Sequence, residues 1–114
     1  MSAIRKYRTF KAFYPYYLME HASVSNRLLH FVGTLLLLIC VGIGMVSGRW
    51  WFFALVPVLG YGFAWIGHYF VEKNRPATFT YPLYSLSADF VMFWDMLTGQ
   101  LPKKIAAAKT QLNH

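Results

Sequence analysis

The sequence predicts an all-α fold: a small polytopic membrane protein built on a transmembrane helical hairpin, with shorter N-terminal and C-terminal helices that are interfacial or partly inserted. Three observations predict it. Of 114 residues, 57% are hydrophobic and only 13% are charged, against about a quarter charged in a soluble domain. Two uncharged runs, each about 20 residues long, suffice to cross a hydrocarbon core of about 30 Å at about 1.5 Å per residue. A tight Ser47-Gly48-Arg49 connection between them forces the two runs antiparallel. At this length residues 1–114 make one integral membrane helical domain.

The N-terminal segment carries Arg5, Lys6, Arg8 and Lys11 among many aromatic residues. Tyr7, Phe10, Tyr14, Tyr17 and His21 recur at a spacing of three to four, one face of a helix. Pro15 interrupts that face, as a kink or as the first residue of a new short helix. A basic, aromatic, amphipathic segment ahead of a span either lies in the interface or packs on the spans. The stretch from Ala22 to Asn26 is breaker and N-cap chemistry, so one helix ends near His21 and the next begins just ahead of His30.

The first span is placed at residues 28–47, interrupted only by His30, Thr34 and Ser47. It begins too far into the chain, and is too long, for a signal h-region, and it lacks a small-residue cleavage site. The second span, residues 50–71, opens on the interfacial pair Trp50-Trp51 and contains Pro57, Gly60, Gly62 and Gly67, which allow close helix contact or a slight bend. Pro76 lacks a backbone donor, so this element ends nearby. A third hydrophobic helix is placed at residues 82–98, with Pro82 near its start and Gly99 beyond its end. One of its stripes is Leu83, Leu86, Phe90, Phe93 or Trp94, and Leu97; another is Ser85, Asp89, Met92 and Met96. With Asp89 and Asp95 inside about 16 residues, it is short for a lipid-exposed span. The tail, rich in Ala, Lys and Gln, carries no nameable chemistry.

A net charge of +7 suits anionic headgroups and anionic amphiphilic substrates. Nucleic acid is the other partner a basic protein suggests, and the apolar runs argue against it. Lys and Arg crowd the N-terminus, residues 73–75 and the tail, while the hairpin turn has only Arg49. Both termini are therefore expected on the cytoplasmic side, of an inner membrane in a bacterium or of the endoplasmic reticulum in a eukaryote. The lone Cys40 allows no intramolecular disulfide.

Chemistry-bearing residues gather at one level. His68 and Glu72 lie four apart and share a helix face, as do Asn26 and His30. His30 stands about 18 residues before the hairpin turn and His68 about 19 after it, so at equal rise their imidazoles lie at one depth. His21 and His30 are nine apart, on opposite sides of any continuous helix, but a chain reversal near residues 23–26 can bring them together. Ionisable groups at membrane depth are costly and usually functional. Imidazoles suit Zn, Cu, Fe or Ni, and open positions on a histidine/carboxylate site suit non-haem iron. Glu72 is a ligand, a proton relay, or an ion-pair partner of Arg75 or Lys73. Asp89 either completes the shell, orients a ligand imidazole or lines a solvated face. Arg27, Lys73 and Arg75 are either carboxylate clamps or headgroup anchors.

EHASVSNRLLHFVGT (Glu20–Thr34) followed by GHYFVEKNRPATFTYPLYSLSADFVMF (Gly67–Phe93) carries, in order, a His, an Asn-x-x-x-His, a Gly-His-x-x-x-Glu and an Arg-Pro-Ala. This ordered set resembles a small membrane family, the 2-hydroxy-fatty-acid dioxygenases that metabolise phytosphingosine to odd-numbered fatty acids. The resemblance implies Fe(II)-dependent oxidative removal of one carbon from a 2-hydroxy fatty acid, with molecular oxygen, at a membrane. It implies His21, His30 and His68 as iron ligands and Glu72 and Arg75 as catalytic residues. Arg27, Asn26 and Asp89 remain candidates for the substrate side. Two other classes compete: a haem-binding membrane protein with His30 and His68 as axial ligands, and a non-catalytic membrane scaffold whose histidines are merely interfacial.

Overall fold

A computed structural model describes residues 6–112; Arg5 and His114 lie outside the described residues. Among these the chain is all-helical. Helix α1 (Phe10–Met19) starts at Thr9, whose side chain accepts the Ala12 amide at 3.1 Å. Pro15 lies within this one helix, so the interruption expected there is absorbed at the loss of one intrahelical bond. After a break at residues 20–23, α2 (Val24–Ser47) runs on as the longest element. It begins four residues ahead of the expected span: Ser23, in extended conformation, holds the N-cap position, and its carbonyl accepts from the Arg27 amide at 3.1 Å.

Gly48 closes α2 in the left-handed region (φ 70°), its amide bonded to the Gly44 carbonyl at 3.0 Å. A Cβ-bearing residue is strained there, which is why the hairpin turns at a glycine. The return strand of the hairpin is not one regular helix. It enters through a 3-10 turn (Trp50–Leu55), continues as α3 (Val56–Ile66) and ends in a π-helical turn (Gly67–Glu72). Cys40 ties the hairpin, its thiol donating to the Phe52 carbonyl at 3.0 Å. At Gly33 a Cβ would come within 2.9 Å of the Leu59 carbonyl, so this small residue sets the approach of α2 to α3.

A short 3-10 turn (Ala77–Phe79) leads into α4 (Pro82–Leu97), and Gly99 (φ 76°) turns the chain into α5 (Leu101–Leu112). Helix α5 lies in the tail where no element was expected; Leu101, Ile105 and Ala108 form a narrow packing stripe. On α1, Phe13, Tyr17 and Leu18 are buried against Tyr81, Ala88 and Met92 of the 81–92 segment and against α5, and not on the two long helices of the hairpin. Between α1, α4 and α5 lies a polar knot: Asp95 accepts from the Tyr14 hydroxyl at 2.7 Å and from Lys104 at 2.8 Å. On α4, Ser85, Ala88, Met92 and Asp95 are buried, while Leu83, Leu86, Phe90, Trp94 and Leu97 are exposed. That is the reverse of a water-facing helix. Phe93 stacks on Phe31 at 4.7 Å, which seats α4 across the first half of α2.

Candidate metal centre

Three imidazoles reach one point from three separate elements. His21 stands in the break after α1, His30 in the second turn of α2, and His68 in the π-helical turn; all are buried. Their ring centroids are 4.3, 4.5 and 5.0 Å apart, and one nitrogen from each lies within 4.8 Å of the others. The break at residues 20–23 cancels the half-turn phase error between His21 and His30, and their Nε2 atoms stand 3.0 Å apart.

The other ring nitrogen of each histidine fixes what Nε2 can do. His21 Nδ1 faces the Tyr17 carbonyl at 2.7 Å, and His30 Nδ1 faces the Asn26 carbonyl at 3.0 Å. His68 Nδ1 faces Asn74 Oδ1 at 2.7 Å, and the amide is oriented by its own Nδ2, which donates to the Glu20 carbonyl at 3.0 Å. An oxygen acceptor requires the proton on Nδ1, so each Nε2 keeps its lone pair. Burial, with His30 and His68 alongside, pushes His21 well below the ordinary imidazole range, so its ring is neutral at pH 7.

Three inward lone pairs repel one another unless a cation lies between them. Ligands about 2.1 Å from one ion stand about 3 Å apart at near-right angles, and His21 and His30 have that separation. Oriented, neutral imidazoles with backbone or amide acceptors behind them are the donor set of a metal site. The residues fit a metal ion; the donor set alone does not select which.

The π-helical turn positions His68. One extra residue in the turn brings Asn74 back over the ring, where its amide bonds the His68 carbonyl at 2.9 Å, helped by Lys73 in the left-handed region (φ 59°). Asn26, fully buried, joins this turn to α2. A Cβ on Gly67 would collide with the Asn26 side-chain amide, so glycine is what lets the two elements meet.

Among the described residues the converging cluster is histidine only. Glu72 turns its carboxylate to the Ser23 amide and, at 3.5 Å, to Asn26 Nδ2, closing the start of α2. Arg27 donates to the His21 and Ala22 carbonyls at 2.8 and 2.9 Å and so holds the loop bearing His21. Asp89, on α4, accepts from the Tyr17 hydroxyl, and burial raises its carboxyl to about 7. Arg75 is exposed and lies over the Phe79 ring at 4.8 Å. Reading residue types alone overlooked Tyr17 and Asn74 as partners of the histidines and Glu20 as the partner of Asn74. Two of these act through backbone carbonyls, which every residue type carries; only Asn74, six residues after His68, left a side-chain signal.

A family model described as 2-hydroxy-palmitic acid dioxygenase Mpo1-like matches residues 7–101, and the chain belongs to that family. No curated protein and no solved structure matches it.

Proposed function

We propose that this protein is an integral membrane, Fe(II)-dependent dioxygenase that removes one carbon from 2-hydroxy fatty acids. The observation that carries the reading is the convergence of three buried imidazoles, one nitrogen from each within 4.8 Å of the others, in a chain of this family. With oxygen as sole oxidant, R-CH(OH)-COOH and O2 balance as R-COOH, CO2 and H2O. A ferrous ion would supply Lewis acidity toward the 2-hydroxy acid and electrons to oxygen.

The chain's own groups do the rest. Tyr17, Asn26 and Asn74 hold the three Nδ1 protons and thereby aim the Nε2 donors. Glu72 and Arg27 are positioning residues that fasten the 21–27 segment to the second half of the hairpin and to itself. Arg75, exposed and without an ion pair among the described residues, is the cation assigned to drawing a carboxylate toward the site.

A membrane setting is supported by where the apolar surface lies. Two helical stretches, Val24–Ser47 and Trp50–Glu72, are long and apolar enough to span, and only 33% and 11% of their apolar windows are buried. The core helix of a soluble protein would be mostly covered. The hairpin turns Ile39, Ile43, Val46, Val58 and Phe70 outward, and lipid is the solvent that suits them. The haem alternative fares worse, because three imidazoles in mutual contact leave no slot for a porphyrin plane between His30 and His68.

The test is protein purified anaerobically, assayed for iron by elemental analysis and for oxygen uptake and product chain length with 2-hydroxypalmitate. The expected result is about one iron per chain, a C15 acid as product, and loss of both iron and product in each of His21→Ala, His30→Ala and His68→Ala. A chelator-insensitive protein without iron or product would overturn the reading.

A further inference from the structure

A cavity of about 260 Å³ opens between α2, α3 and α4, its lining on α2 beginning one helical turn beyond His30. Thr34 and Asp89 supply polar groups to its wall; Leu37, Val56, Pro57, Leu86 and Phe90 are among the apolar lining. Thr34 stands four residues beyond His30 on α2, on the same face and about 6 Å along the axis. Pro57 stands eleven residues before His68, about 16 Å away along the second half of the hairpin. The cavity therefore begins one helical turn from the imidazoles and runs toward the hairpin turn.

Two features make it a built space rather than a packing gap. Gly60 lines it, and a Cβ there would come within 3.1 Å of Leu37 Cδ1, so the absent side chain sets its width. Its outer rim is formed by Tyr61, Leu86 and Phe90, all exposed, which leaves it open sideways between α3 and α4. An apolar slot with a lateral opening and one polar end next to a metal-binding cluster matches a single-chain amphiphile.

We infer that this cavity is the acyl-chain slot of the substrate, holding the chain of a 2-hydroxy acid whose head lies at the histidines. The assignment rests on the dioxygenase reading for the identity of the head group; the slot itself rests on the cavity. From the level of Thr34, about 6 Å beyond His30, to that of Pro57, about 16 Å from His68, the lining runs about 10 Å along the hairpin, so it takes only the first part of a long chain. A sixteen-carbon chain then fills it and extends through the rim into lipid, while an eight-carbon chain needs only part of it. Chain entry is lateral, from the bilayer.

The direct experiment uses a 2-hydroxy fatty acid bearing a mid-chain photoreactive diazirine, cross-linked to the iron-free protein in nanodiscs and mapped by mass spectrometry. Labels are expected at residues 34–37, 56–61 and 86–90, competed by unlabelled 2-hydroxypalmitate. Labels confined to outward residues such as Val46 and Phe70, or labels that competitor leaves in place, would overturn the slot and place the chain, or a structural lipid, elsewhere. In parallel, Gly60→Leu is expected to lower kcat/KM for 2-hydroxypalmitate relative to 2-hydroxyoctanoate at least tenfold, with iron content unchanged. Gly62→Leu, at a glycine whose Cβ would meet nothing within 4 Å, is the control. Competed slot labelling without turnover of any 2-hydroxy acid would sink the dioxygenase reading and leave the slot standing. Turnover with unchanged chain preference in Gly60→Leu would sink the slot and leave the reaction.

Discussion

At the scale of single residues, the histidines are decided by what stands behind them. His68 is held from two sides by Asn74, whose side-chain oxygen accepts from Nδ1 and whose backbone N–H donates to the His68 carbonyl. Asn74→Ala leaves all three ligand atoms in place but frees one ring to rotate. Its metal affinity is expected to fall about 10- to 100-fold, as for other partners of ligating histidines. A chelator competition titration measures this, and raising ferrous iron is expected to restore activity to Asn74→Ala but not to His68→Ala. Gly67 makes a second residue-scale case. Its Cβ would run into the buried Asn26 amide, while the Cβ of Gly62 would meet open space. Gly67→Ala is expected to destabilise the fold by about 1–3 kcal/mol through overpacking. Gly62→Ala is expected to be neutral or stabilising by up to about 1 kcal/mol, the helix-propensity difference. Thermal unfolding in detergent checks both, and equal effects at the two glycines would refute the argument.

At the scale of elements, α1 and α4 are joined at a titrating contact, the Tyr17 hydroxyl on the Asp89 carboxylate. Burial raises Asp89 to about 7, above its ordinary value of 3.8. The folded state therefore binds this proton more tightly than the unfolded chain does. The stability it contributes is fully present below about pH 4 and is lost as pH rises through about 7. In metal-free protein, Asp89→Asn is expected to flatten the fall in melting temperature between those limits; an unchanged slope would refute the assignment. The elements also mark how far residue patterns reach. The hairpin and the common level of His30 and His68 were legible, the first from uncharged length and a tight turn, the second from nearly equal residue counts on either side of that turn. The break near Ser23 was legible from its cap chemistry. The π-helical turn was not, since it arises from the tertiary meeting of Gly67 with Asn26 and of His68 with Asn74, residues distant or unremarkable in sequence. Helix α5 was missed because Leu101, Ile105 and Ala108 make too thin a stripe to stand out before α1 is known to cover it. The aromatic face of α1 was visible, but its partner was not: a spacing of three to four announces a buried face without naming what buries it.

At the scale of the whole molecule, basic residues and apolar surface divide the chain between two environments. The hairpin carries the outward apolar residues and ends at Gly48-Arg49. Arg8, Lys11, Lys73, Arg75, Lys103 and Lys109 all belong to segments outside it and all are solvent-facing. On the membrane reading proposed above, such a bias orients the hairpin with its basic end on the cytoplasmic face. Helix α4 is the element that decides the topology. Its sixteen residues hold Asp95 in a knot with Tyr14 and Lys104, so crossing would have to carry that knot, and α1 and α5 with it, into hydrocarbon. Its outward Leu83, Leu86, Phe90, Trp94 and Leu97 instead suit a helix lying along the first half of α2 within one leaflet. In a Cys40→Ala background, single cysteines at positions 8 and 103 are expected to react with a membrane-impermeant maleimide only from the cytoplasmic side. A cysteine at position 48 is expected to react only from the opposite side. Labelling of positions 8 and 103 from opposite sides would mean that α4 crosses, and the count of spans would rise to three.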